Sequence, residues 1–325
     1  MPADRPPSIA RALQPLPAHY AFDLERTLTS VVALRSLVPE DAFTAETLGT
    51  ERAGHGVQIA DNGLIVTIGY LIVEAETIWI RTHDGRVVQG HPLAYDTVSG
   101  LGLVQALGST GVPSCAIGRS SDVAVGDRIV TAGVGGRAGA VAAHVVARQE
   151  FAGYWEYLLD DAIFTAPAHP NWGGTAVFDD EGALIGIGSL QLETPRPNAS
   201  PQHLNMVVPI DLLPPVQDQL VRHGRREGPA RPWLGLYAAD IDDKVVVAGT
   251  SDDGPAEQAG LQGGDVILAV DGRSIKGLAD LWRAVWALGG AGVEVPVLVF
   301  RDGETLTCRI RSIDRSLFLR NRILH

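Results

Sequence analysis

From Leu28 to Leu192 the chain breaks into short apolar runs, each closed by a turn signal, with almost no helical periodicity. Val57-Gln58-Ile59, Gly63-Leu64-Ile65-Val66-Thr67, Thr77-Ile78-Trp79-Ile80, Arg128-Ile129-Val130-Thr131 and Ala140-Val141-Ala142 are such runs. Asp61-Asn62-Gly63 and Asp84-Gly85, lying between them, are hairpin signals, because these pairs tolerate the backbone that tight β-turns require. The pattern predicts a mostly-β fold of antiparallel strands in closed or sandwiched sheets. Two small barrels back to back fit the spacing, with a division near residues 106–118.

A chain of 325 residues is long enough for two or three domains, each with its own core. A formal charge of −12 argues against nucleic acid as a partner, and the local run Arg222-His223-Gly224-Arg225-Arg226 reads as a solvated linker. Cys115 and Cys308 lie in different predicted domains, so each is expected to be a buried small hydrophobe rather than half of a disulfide. No His/Cys/Asp/Glu spacing fits a metal site, and no cofactor motif is present. No apolar run approaches the ~18 residues of a membrane span. The opening residues show no basic segment leading into an apolar one, which sets a cytoplasmic expectation, with the periplasm as the alternative.

Four segments follow in domain terms. Residues 1–45, which include the short amphipathic piece Ile9-Ala10-Arg11-Ala12-Leu13, read as an N-terminal arm that packs on another subunit, serving oligomerisation, or on its own domain. Residues 46–221 carry the predicted strands and end in a helix that Asp211 is expected to cap and that runs to Val221. Residues 222–231 are polar and rich in Gly and Pro, a linker. Residues 232–325 form an α+β module: strands at Lys244–Ala248, Asp265–Val270 and Val293–Phe300, a short helix over Pro255–Gly260, and a helical spacing of Leu278, Leu281, Trp282, Val285 and Leu288.

In that module, Ala256-Glu-Gln-Ala-Gly-Leu-Gln-Gly-Gly-Asp-Val-Ile-Leu-Ala-Val-Asp-Gly272 resembles the signature of a PDZ domain in the order found in bacterial HtrA-type proteases. PDZ domains add an extended C-terminal peptide as a strand beside a helix, with main-chain amides on its carboxylate. The resemblance implies that Trp233-Leu234-Gly235-Leu236 is the carboxylate-binding loop and that Leu281 and Val285 line the helical wall. The alternative for these apolar residues is simple core filling.

The HtrA resemblance extends over about residues 54–213, through Gly54-His-Gly-Val57, Asp61-Asn-Gly-Leu-Ile-Val-Thr67, Ile117-Gly-Arg-Ser-Ser-Asp122 and Leu204-Asn-Met-Val-Val-Pro-Ile-Asp211. It implies a chymotrypsin-like double β-barrel followed by the PDZ domain. In that family a serine, an imidazole and a carboxylate cooperate in peptide hydrolysis. Here the corresponding positions hold Trp172, Tyr70 and Gly100. The loop His169-Pro170-Asn171-Trp172-Gly173-Gly174-Thr175 keeps the glycines of a nucleophile loop, but its oxyanion-donor position is Pro170, which has no N–H. His55, His91, His144 and His169, with Asp96, Ser99, Ser120 and Ser121, are the groups from which a rearranged triad would have to be drawn.

The expectation is therefore a pseudoprotease that binds proteins or peptides with free C-termini. Tyr70 and Trp172 either plug the cleft, grip an apolar side chain or fill space. The alternative is a working serine endopeptidase acting in protein quality control through an unconventional site. HtrA-type proteins often form trimers, so a homotrimer, or assembly with an active relative, is a further expectation.

Overall fold

In the computed structural model, residues 9–196 and 199–320 are described. The described chain divides into two compact units: residues 9–149 with 161–226, and residues 150–160 with 227–320.

The first unit holds twelve strands: β1 (Val31–Leu37), β2 (Glu51–Gln58), β3 (Leu64–Ile68), β4 (Thr77–Arg81), β5 (Val87–Tyr95), β6 (Leu101–Ala106), β7 (Arg128–Ala132), β8 (Ala140–Gly153), β9 (Tyr157–Ala166), β10 (Ala176–Phe178), β11 (Leu184–Arg196) and β12 (Ala199–Pro209), the tip of β8 and β9 excepted. They close into two six-stranded barrels, β1-β2-β3-β6-β5-β4 and β10-β11-β12-β9-β8-β7. Closure removes free sheet edges, which is why strands this short are stable. Buried Leu34, Ile65, Ile78, Ile80 and Leu103 fill the first barrel; Ile129, Val141, Val145, Ile163, Val177, Ile185 and Val207 fill the second.

Short helices α1 (Leu24–Leu28) and α2 (Ala45–Leu48) flank β1, and α3 (Gln217–His223) closes the unit. Two expectations change here. Within residues 9–45, β1 is a barrel strand rather than part of an arm, pairing with β2 and β4 to close the first barrel, while Ile9 packs on its own domain, buried in the core of the second barrel. Residues 1–8 lie outside the described part. Nor does Asp211 cap α3. It sits in a 3₁₀ turn, Ile210–Leu212, and its carboxylate accepts the backbone N–H groups of Ser120 and Ser121 at 2.8 and 2.9 Å.

The second unit is a sheet of β13 (Leu236–Ile241), β14 (Lys244–Thr250), β15 (Val266–Val270), β17 (Glu294–Arg301) and β18 (Glu304–Arg311), with the short β16 (Arg273–Ser274) beside β15. It carries α4 (Pro255–Gln258) and α5 (Leu278–Trp286). Leu278, Leu281, Trp282 and Val285 of α5 enter a core with Val245, Val247, Ile267, Val297 and Ile310. The tip of the β8–β9 hairpin belongs to this unit and contributes Leu158 to that core.

Candidate functional site

The loop 169–175 leads into β10, and its shape is set by hydrogen bonds to the surrounding strands. His55 of β2 donates its N–H to the Gly173 carbonyl at 2.9 Å, and Gly174 N–H donates to Gly188 O at 2.9 Å. Thr175 closes the turn by donating from both N and Oγ1 to Trp172 O, at 3.1 and 2.9 Å. Gly174 has φ +75°, and a β-carbon there would lie 1.9 Å from the His55 carbonyl, so only glycine fits.

Around this loop the fold gathers the residues predicted at the triad positions. Tyr70 lies in the 3₁₀ turn Gly69–Leu71, and its hydroxyl donates to the Ser189 carbonyl at 2.8 Å. Burial pushes the phenol above its ordinary range, opposed by a hydrogen bond with the Trp172 side chain. The hydroxyl also lies against the loop itself, 2.8 Å from where a β-carbon on Gly173 would be. Gly100, at φ +80°, accepts from Gly69 N–H at 2.7 Å and so sits beside the Tyr70 turn. Exposed Pro170 stands two residues before Trp172.

Buried Arg52 holds the Tyr70 turn from beneath. It donates to the carbonyls of Tyr70 and Val73 at 2.9 and 3.0 Å and to Thr44 Oγ1 at 2.8 Å. A charged residue inside a strand signals such a role only if it is known to be buried.

Several of the groups from which a rearranged triad would be drawn are engaged elsewhere. His55 Nδ1 accepts from Val134 N–H at 3.2 Å, and Nε2 is buried with no hydrogen-bond partner among the described residues. His169 Nδ1 accepts from Asn171 N–H at 3.1 Å, and its Nε2 lies 3.0 Å from Gly139 O. The two rings meet edge to face with centroids 5.9 Å apart. His144 Nδ1 lies 3.4 Å from Gly126 O. Asp96 accepts two 2.7 Å bonds from Arg226, together with the Ser99 hydroxyl. Burial pushes the Asp96 carboxyl up, but these hydrogen bonds outweigh it and hold the group below its ordinary range. Arg226 is thus half of a mostly buried ion pair rather than part of a solvated linker, because its partner lies far away in sequence. Cys115 and Cys308 are both buried and free.

The second candidate site is the loop Trp233–Leu236. Gly235 adopts φ +70°, so the amides on either side of it converge. They converge on a carboxylate of the chain itself. Leu234 N–H lies 3.1 Å from both Oε1 and Oε2 of Glu156, and Leu236 N–H lies 3.0 Å from Oε1. Burial pushes the Glu156 carboxyl up to about 7, against the backbone N–H groups of Leu236, Leu234 and Gly235 and the charge of Arg315, which pull it down. Trp233 exchanges backbone hydrogen bonds with Ile313 at 2.9 and 3.1 Å. Leu281 and Val285 are fully buried in the same core as Leu158. Glu156 escaped the sequence reading. Its only local signal is the run Gly153-Tyr154-Trp155-Glu156-Tyr157, an acidic residue among aromatics beside a hairpin glycine.

Residues 54–187 match the family described as trypsin-like peptidase domain, and residues 232–311 match PDZ domain. Fold and site together define a trypsin-like peptidase domain followed by a PDZ domain. Over 320 residues the chain is 26% identical to the serine endoprotease DegS of Escherichia coli (strain K12), covering 90% of this chain and 85% of that protein. It is 29% identical over 272 residues to a probable periplasmic serine endoprotease DegP-like of Pseudomonas fluorescens, covering 77% of this chain and 54% of that one. The solved HtrA-type protease AlgW with decapeptide matches with a TM-score of 0.54 at 21% identity, covering 92% of this chain and 98% of that one. The serine endoprotease from Yersinia pestis gives 0.53 at 23%, covering 89% and 96%. The chain belongs to the HtrA-type serine protease family, with a C-terminal PDZ domain.

Proposed function

We propose that this protein is a non-hydrolysing member of the family that binds protein or peptide C-termini through its PDZ domain. The observation that carries this reading is the arrangement of the cleft, where the Tyr70 hydroxyl donates to the Ser189 carbonyl at 2.8 Å beside the loop that carries Trp172. It puts a neutral phenol and an indole where hydrolysis needs a general base and a hydroxyl nucleophile. Gly100 has no carboxylate to orient a base, and Pro170 has no N–H for a developing oxyanion. Each loss alone is worth orders of magnitude in rate.

The names of the relatives support the opposing reading, a working endopeptidase with its chemistry elsewhere in the barrels. Against it, the ring nitrogens of His55 and His169 have no bond to a seryl hydroxyl among the described residues. The test is incubation with unfolded casein and with a fluorophosphonate. The expected result is intact casein and unlabelled protein; stoichiometric labelling of a serine overturns the proposal.

No described helix is long and apolar enough to cross a membrane. The DegP-like relatives are named as periplasmic, which supports the periplasm for this chain and leaves the cytoplasmic expectation without support.

A further inference from the structure

The amides of Leu234 and Leu236 face a carboxylate that the chain supplies itself. From this we infer that the carboxylate loop of the PDZ domain has a resident ligand, the β8–β9 hairpin tip with Glu156 as its anchor, and that an external peptide carboxylate binds only by displacing it. The inference rests on reading the module as a binder of peptide carboxylates.

Several independent contacts put the hairpin in the position of a ligand. Tyr154 O accepts from Ala238 N–H of β13 at 3.0 Å, a backbone bond of the kind an added strand makes. On the other side, Gly153 O accepts from Trp282 Nε1 of α5 at 2.9 Å. The tip therefore runs between β13 and α5. Arg283 of α5 pairs with Glu150 and with Asp160, one on each limb of the hairpin. Leu158 is buried in the core that contains Leu236, Leu281 and Val285.

Glu156 itself adopts φ +61°, a left-handed conformation that glycine or asparagine takes with less strain. A turn residue chosen only for its backbone would not be a glutamate. Its side chain explains the choice: two oxygens on two converging amides reproduce what a terminal carboxylate would offer. The hairpin is also stiffened in advance, with Trp155 stacked on Tyr157 at 5.6 Å and Tyr154 edge-on to Trp155 at 4.8 Å. A rigid ligand loses little freedom on docking, so the hairpin competes well against a flexible peptide.

The probe is a pool of fluorescein-labelled decapeptides ending in Val, Leu or Phe with a free carboxylate, alongside its C-terminally amidated twin. Both are titrated into the full chain, wild type and Glu156→Ala, and amide hydrogen exchange is followed over residues 233–238. The expected result is exchange at least tenfold faster across 233–238 in Glu156→Ala, with affinity for the free-carboxylate pool at least tenfold tighter than wild type and no gain for the amidated pool. Unchanged exchange with equal affinities in the two proteins overturns the inference. Faster exchange with no binding of either pool supports the resident ligand and instead sinks the reading of the module as a peptide binder. If Glu156→Ala does not fold, Arg283→Ala, which frees both limbs of the hairpin without touching the loop, is expected to accelerate exchange in the same segment. Unchanged exchange in that variant overturns the inference equally.

Discussion

The carbonyl of His55 lies 1.9 Å from where a β-carbon on residue 174 would be, and Gly174 holds φ at +75°. Gly174→Ala is expected to destabilise the first unit by at least the ~1–3 kcal/mol of such backbone strain, seen as a lower urea midpoint at unchanged slope. The same histidine makes stability depend on pH. Burial, then the neighbouring His169, lowers the His55 pKa from 6.5 to about 3, with Arg81 adding to the effect and the Asn171 backbone opposing it. Burial lowers His169 as well. In the unfolded chain both titrate near about 6.5. With folded values below unfolded ones, their contribution is full above about 6.5 and is lost progressively as pH falls toward the folded values. Urea midpoints should fall as pH drops from about 7 to about 4, with an unfolding free energy lost at roughly 1 kcal/mol per pH unit through His55 and a further loss in the same direction through His169. A flat profile over that window would refute it.

Among elements, the connection after β5 is tied to the chain beyond α3 by Asp96 and Arg226, whose side chains are 2% and 31% exposed. Arg226→Met removes one partner and leaves a buried carboxylate uncompensated, at an expected cost of ~3–5 kcal/mol in denaturant titrations. Adding Asp96→Asn to that variant should recover part of the loss, since the orphaned charge is then gone. If the double variant is as unstable as Arg226→Met, the pair is not acting through charge. The strands and turns of both barrels were legible in the sequence because alternation and Asp-Gly or Asn-Gly turns are local signals. Arg226 was read as part of a solvated run because nothing within a few residues of it reveals a carboxylate 130 positions earlier. The same holds for β1, whose residues looked like an arm until the edge they close became visible.

Across the whole first unit, the positions of base, orienting group and nucleophile come together from both barrels, so their chemistry is a collective property. Trp172→Ser alone is expected to stay unlabelled by fluorophosphonate, because a lone hydroxyl lacks its base. Combining Tyr70→His, Gly100→Asp, Pro170→Gly and Trp172→Ser is expected to restore measurable labelling, at least tenfold faster than any single change. Gly100 sits at φ +80°, so an aspartate there is strained, although Asp tolerates the left-handed region better than most residues. Labelling by the single Trp172→Ser variant at the rate of the combined one would show that a base already stands beside the loop.

The amino-acid sequence by itself determined the architecture: two barrels of short antiparallel strands, then an α+β module with its glycine-shaped loop. By register with the resembling family it also assigned Tyr70, Gly100 and Trp172 to the triad positions. Both are local or motif-level properties, written in spacings of a few residues. Only the tertiary structure decided that the Tyr70 hydroxyl bonds to the Ser189 carbonyl, that Arg52 braces the Tyr70 turn, and that Glu156 fills the loop at Leu234 and Leu236. Those contacts join residues up to 119 apart in the chain. Their energies come from burial and from the donors that burial brings into range, which folding alone establishes.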